Sequence, residues 1–196
     1  MITRQHLLLV LICSIILSSA IQNYDPVLAF LVSIGSCIGA ILPDIQMKRP
    51  KKISLLTLAW GIVQAGRRTC IPVMCALYRV LFSTRFGTND KRLTHSIPGI
   101  FLYFLLLSAI GYIPVFLFDT GIPVLPVTGL LAGLLFGMLL HLAEDACCRK
   151  GITPFYPFND IRVSGSIRPC DVLDTRITGF YVYHGTVLFF LLFIQS

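Results

Sequence analysis

Leu130–Asp145 reads LLAGLLFGMLLHLAED, an apolar helix that closes on a polar end with His141 and Asp145 one turn apart. Residues four apart on a helix stack on one face, so this imidazole and carboxylate can close on a single metal ion or a single proton. The ridge that leads to them carries Gly129, Gly133 and Gly137 at steps of four. Small residues at that spacing let a second helix approach backbone to backbone.

The rest of the composition says where such a helix lives. Of 196 residues, 56% are hydrophobic and only 13% charged, with a mean hydropathy of +0.82, whereas a soluble domain carries about 25% charged residues. A chain so poor in charge cannot present an ordinary wet surface, and it reads as one integral-membrane helical domain over residues 1–196. No internal repeat or low-complexity tract divides it.

Apolar stretches fall at residues 5–21, 27–43, 96–118, 124–146 and 177–195, against a requirement of roughly 17–25 residues per membrane-spanning helix. The third and fourth are comfortable spans; the first two are thin, and a helical hairpin in a soluble core is the competing reading for residues 5–43. Residues 53–82 are apolar but interrupted by Gly61, Gly66, Arg67, Arg68, Pro72 and Arg79, which predicts an interfacial or re-entrant helix. The expected fold is therefore all-α: a polytopic membrane protein of about five apolar helices plus that segment.

Lysine and arginine give the orientation. Arg4 precedes the first stretch; Lys48, Arg49, Lys51 and Lys52 follow the second; Lys91 and Arg92 precede the third; Arg149 and Lys150 follow the fourth. With five spans all of these lie on one side, while Gln22–Pro26 and Asp119–Pro123 contain neither residue type. The positive-inside rule then places the basic side, and the N-terminus, in the cytoplasm of an inner (plasma) membrane. The net charge of +7 is read as a topology signal and an affinity for anionic lipids; no specific nucleic-acid partner is expected. Arg4, an apolar run and Ser18-Ser19-Ala20 also imitate a cleavable secretory signal, whose removal would take His6 with it. The seven cysteines show no CxxC spacing, and free thiols are expected on the reducing side, with acylation of Cys147 or Cys148 as an alternative to plain packing.

The polar residues at the apolar ends now fall together. His6 opens the first stretch, Asp44 ends the second, His95 and Ser96 open the third, and His141 and Asp145 close the fourth. That topology puts them at one interface, where ionisable groups are costly enough to suggest a function, and histidines with carboxylates suit zinc or another divalent ion. The expected metal ligands are His6, Asp44, His95, His141 and Asp145. Each has a plainer reading: a lone histidine at a helix start is interfacial or capping, Asp44 after Pro43 ends a helix or starts a turn, and Thr94 or Ser96 is an N-cap.

The same residues, in order, resemble a family: His6, Leu42-Pro43-Asp44, the R-x-T-H-S of Arg92 to Ser96, the G-x-x-x-H-x-x-x-D of Gly137 to Asp145, and the Gly151-Ile-Thr-Pro-Phe-Tyr-Pro-Phe that follows. Their order and spacing resemble the YdjM-like, LexA-regulated inner-membrane proteins assigned as metal-dependent hydrolases, over nearly the whole chain. That family is held to be distantly related to zinc-dependent phospholipase C and P1-type nucleases. The resemblance implies a helical metallohydrolase with His6, Asp44, His95, His141 and Asp145 at the carried-over positions. Gln46 stands where the family usually has a second acid, and Lys91 where a histidine often precedes the arginine, so one or two metals, or a weakened activity, are implied.

The chemistry such residues support follows from elementary principles. A metal held by imidazole and carboxylate lowers the pKa of a water towards about 7 and polarises the scissile group. Asp44 or Asp145, whichever is not a ligand, takes the proton, and Arg92 either holds an anionic oxygen such as a phosphate or merely sets topology. Glu144 lies about 100° from Asp145 around the helix and is at best a partner to a ligand. His184, between aromatic neighbours in the last stretch, reads as packing. A site at headgroup level points to a phosphate ester or a lipid-like substrate among the membrane lipids. The His141-to-Asp145 spacing also occurs in type-2 phosphatidic-acid phosphatases, but their other motifs are missing: Leu134-Leu135 stands where an SR is needed. A transporter would place its polar residues near the midplane rather than at helix ends. A non-catalytic membrane scaffold, binding a metal or a regulatory protein, is the remaining alternative.

Overall fold

The computed structural model describes residues 3–21, 25–46, 49, 55–88, 90–117 and 124–168, and scattered positions between 176 and 190. Within its helices the side chains of residues 3–6, 20–21 and 55–56 lie outside that description. The described residues form five α-helices: α1 (Thr3–Ile21), α2 (Pro26–Ile41), α3 (Leu55–Phe82), α4 (Ile97–Leu117) and α5 (Val124–Ala146), with a short 3-10 turn at Lys91–Leu93. No strand occurs among them, and only two isolated β-bridges tie the segment after α5.

Among the described residues two helices, α4 and α5, are long and apolar enough to cross a membrane, fewer than the five spans expected. The reason lies in length. α2 has 16 residues and stops at Ile41, a rise of about 24 Å against a hydrocarbon core of about 30 Å. α1 runs for 19 residues, Thr3–Ile21, of which the side chains of residues 7–19 are described. The stretch 177–195 lies largely outside the described residues. α2 starts sharply: Pro26 takes the first turn, where no N–H is needed, and the Asp25 carboxylate accepts from the Val27 and Leu28 amides at 2.9 and 3.0 Å.

Residues 53–82, expected as an interfacial or re-entrant helix, are helical from Leu55 to Phe82. The glycines and Pro72 suggested a broken segment, yet α3 runs unbroken for 28 residues with Pro72 inside it. Its buried positions, Ala59, Val63, Gly66, Cys70, Met74 and Tyr78, recur at steps of three and four, while Arg68 and Arg79 are exposed. One continuous apolar stripe packs against the bundle and outweighs the one backbone hydrogen bond that Pro72 cannot donate.

α2 makes its most extensive contact with α5, and glycines explain why. A methyl group placed on Gly35, Gly39, Gly133 or Gly137 would collide with backbone of the facing helix: Leu130, Leu134, Val32 and Ser36, respectively. The ridge on α5 thus meets a partner, and the partner brings its own Gly35 and Gly39. At the end of this seam Leu42 and Ile45 turn inward, joining Met74, Tyr78, Ile100, Met138, Leu142 and Ile152 in the main core. α4 is different. Only 11% of its apolar window is buried, against 39% for α5, so most of its surface is left to face lipid.

Candidate metal centre

Three helix ends converge where the glycine seam stops. Past α2, Ile41, Pro43 and their neighbours form a tight turn, with Asp44 N–H donating to the Ile41 carbonyl at 3.1 Å and Ile45 N–H to that of Pro43 at 2.8 Å. Before α4, Ser96 caps the helix by accepting from the Gly99 amide at 3.2 Å. Thr94, the other capping candidate, is thereby released for a different task. The final turn of α5 contributes His141 and Asp145.

Asp44, His95 and His141 present one ligand atom each, all within 4.8 Å of one another. His141 is fully buried and His95 is 5% exposed. Their Nε2 atoms stand 3.4 Å apart, and Asp145 Oδ2 lies 3.3 Å from His95 Nε2 and 3.8 Å from His141 Nε2.

The opposite ring nitrogens decide which tautomers are present. His141 Nδ1 is 2.6 Å from the Ala40 carbonyl, which can only accept, so Nδ1 carries the proton. Thr94 Oγ1 is 2.8 Å from the Pro43 carbonyl and spends its single hydrogen there. It can then only accept from His95 Nδ1, at 3.1 Å. With both rings neutral, the two Nε2 atoms and a carboxylate oxygen meet as acceptors, an arrangement that either a metal ion or a shared proton stabilises.

The spacing fits a metal. Two nitrogens each about 2.0–2.1 Å from a tetrahedral zinc ion would stand about 3.3–3.4 Å apart, which matches the separation of the two imidazoles. Hydrogen bonds from the distal ring nitrogen to a carbonyl or hydroxyl are the usual means by which a protein orients such ligands. Asp44, His95 and His141 can hold a metal ion, and Asp145 is within reach of the same point.

His6 sits at the start of α1, and its side chain lies outside the described residues, as does His184. Arg92 is half-exposed on the 3-10 turn. Its Nη2 pairs with Asp90 Oδ2 at 2.8 Å, its Nε with both carboxylate oxygens, and its guanidinium lies 4.6 Å over the Tyr156 ring. These bonds hold the Asp90 carboxyl below its usual range. What the ion pair contributes is thus present at neutral pH and lost only as pH falls through that lowered value. Glu144 is buried at 6% exposure, on α5 beside the ligands but outside the group of three. Cys13, Cys37, Cys70, Cys75, Cys147 and Cys148 are free thiols, as expected; Cys170 lies outside the described residues.

Against known proteins, residues 1–194 match the family model of the YdjM inner membrane protein. The chain belongs to this family. The match covers the turn with Asp44, the His95 segment and the end of α5 alike, so the three ligand positions all lie within the shared region, and membership adds the inner membrane to the two candidate spans. No curated protein and no solved structure matches the chain.

Two groups at this centre are not legible as site residues from spacing: Thr94 and the Ala40 carbonyl. Thr94 is fully buried, and through Pro43 it steadies the peptide that carries Asp44 while fixing the His95 ring. Thr94→Val, equal in shape but without the hydroxyl, is expected to weaken divalent-metal binding by roughly 10–100-fold. Thr94→Ser should stay near wild type. Titration against a chromophoric chelator reads both, and equal affinity of the valine and wild-type proteins would contradict the role.

Proposed function

We propose that the chain is a metal-dependent hydrolase of the inner membrane that acts at the cytoplasmic face on a phosphate ester, soluble or lipid-borne. The observation that carries this reading is the pair of buried imidazoles with both Nδ1 atoms committed to fixed acceptors and both Nε2 lone pairs 3.4 Å apart.

In this reading Asp44, His95 and His141 hold the ion, with zinc the first candidate from the nitrogen-rich donor set. When bound, a divalent ion supplies Lewis acidity at the phosphoryl group and lowers the pKa of water to about 7. The chain's own residues do the rest. Asp145, on the same face of α5 as His141 and less buried than either imidazole, accepts the proton from the attacking water or completes the ligand set. Arg92 offers the charge for an anionic oxygen; Asp90 occupies its Nε and Nη2 edge, and the guanidinium keeps Nη1 outside that pair. The multi-pass arrangement with a cytoplasmic N-terminus belongs to the same proposal, supported by the basic residues Arg49, Lys91, Arg92, Arg149 and Lys150, which all follow or precede the helix ends that build the centre.

The test is a screen of detergent-purified protein, loaded with zinc, manganese or magnesium, against phosphate monoesters, diesters and phospholipids. Turnover is expected in wild type and should fall by about 10³-fold or more in Asp145→Asn if the carboxylate is the base. His95→Ala should abolish turnover while the protein stays folded and inserted. A wild-type protein that binds no divalent ion, or a His95→Ala protein that retains every property of the wild type, would overturn the hydrolase reading in favour of a scaffold.

A further inference from the structure

The segment that follows α5 presents a surface the metal centre does not use. Residues 148–167 fold back on themselves: Ile152 and Val163 exchange amide hydrogen bonds of 2.9 and 2.8 Å, and Cys148 bridges to Ile167. The loop is clamped to the start of α4, where Ile97 N–H donates to the Pro154 carbonyl at 2.7 Å. Rings fasten it further, Tyr156 against Phe86 at 5.4 Å and Phe158 against Phe82 at the end of α3 at 5.1 Å.

The outer side of this well-tied loop is apolar. Phe155, Phe158 and Ile161 are 54, 67 and 64% exposed, and Val80 and Leu81 of α3 continue the patch at 78 and 64%. Exposed cations border it: Arg149, Lys150 and Arg162, the last folded onto the Lys150 carbonyl, with Asp160 as the one acid between residues 148 and 167. A contiguous patch of this kind on a fixed loop marks a surface that something covers.

Its level in the fold says what. Ile97 is the first residue of a helix long enough to span a bilayer, so Pro154, whose carbonyl accepts from that residue, and its neighbour Phe155 stand where the hydrocarbon begins. Aromatic side chains favour this layer, and lysine and arginine beside it favour anionic headgroups. We propose that residues 152–163, with the last turn of α3, form a lip that lies in the headgroup layer of an anionic leaflet, its aromatic side chains in the acyl boundary and its cations against lipid phosphates. The excess of cations over acid and the continuity with α4 select the bilayer as occupant over a second copy of the chain. The lip stands whether or not the centre catalyses hydrolysis, and its Pro154 carbonyl accepts from Ile97, two residues after His95.

The test uses the full chain reconstituted in vesicles, with Trp60, its only tryptophan, replaced as Trp60→Phe and a reporter introduced as Phe158→Trp. In vesicles of phosphatidylcholine with phosphatidylglycerol, lipids brominated near the headgroup are expected to remove roughly half of the emission or more, and acrylamide little. Arg149→Glu combined with Lys150→Glu should reduce that quenching in anionic vesicles and leave it unchanged in phosphatidylcholine alone. Quenching by acrylamide without quenching by brominated lipid would overturn the proposal, and so would shielding from both, the sign of a protein contact. Phe155→Trp gives the same readout if Phe158→Trp fails to fold. Because no metal or turnover enters the measurement, its failure leaves the hydrolase reading untouched.

Discussion

His141→Ala protein is expected to come off purification without its metal. The substitution removes one of three ligands and with it the Nδ1–H that donates to the Ala40 carbonyl. Loss of a buried imidazole ligand should lower affinity by on the order of 100-fold or more, equivalent to about 3 kcal/mol. The orphaned carbonyl adds a separate cost of about 1–3 kcal/mol to folding even without metal. The two effects part cleanly in thermal melts: wild type should be stabilised by added zinc, whereas the variant should melt lower and ignore it. Metal per chain by elemental analysis is the direct reading, and equal content in the two proteins would refute the assignment of His141.

A second large effect is expected one turn earlier. Gly137 faces the Ser36 carbonyl and the Ala40 amide so closely that a single methyl group must push α2 away from α5. Gly137→Ala should destabilise by about 1–3 kcal/mol, and Gly137→Leu by more, because overpacking against backbone has no flexible side chain to absorb it. The displaced residues lead directly to Ala40 and His141, so the alanine variant should also bind metal more weakly while still folded. Gly61→Ala is the control: nothing lies within 4 Å of its added carbon, and helix propensity alone should make it neutral or slightly stabilising. Equal melting temperatures for Gly137→Ala and Gly61→Ala would show that the seam is looser than described.

The site was more legible in the sequence than the membrane crossing. Asp44, His95 and His141 stood out because charged groups at the ends of apolar runs have few roles. The glycine ridge announced a close partner, and Gly35 and Gly39, also four apart, would have named α2 as that partner had they been weighed together. Hydropathy marked the apolar runs without fixing how far each helix extends, and α2 stops after 16 residues. α2 is apolar on both its packed and its exposed sides: Ala29, Val32, Gly35 and Gly39 are buried where it packs on α1 and α5, while Val27 and Phe30 are exposed. α3 was read as broken because glycine and proline were counted locally, while its stripe of buried residues runs past both. Thr94 escaped for another reason: its function is a hydrogen bond to Pro43, fifty-one positions away, and no local pattern encodes that.

The ligands arrive in an order that the chain itself imposes. Asp44 and His95 are synthesised well before His141, and the Ala40 carbonyl that aligns His141 waits on α2 for a helix not yet made. Until α5 is threaded into the bilayer and seated along the glycine seam, the growing chain offers two separated ligands and no pocket. A centre that needs all three side chains can hold an ion only after α5 is seated along that seam, so ion binding would report helix docking.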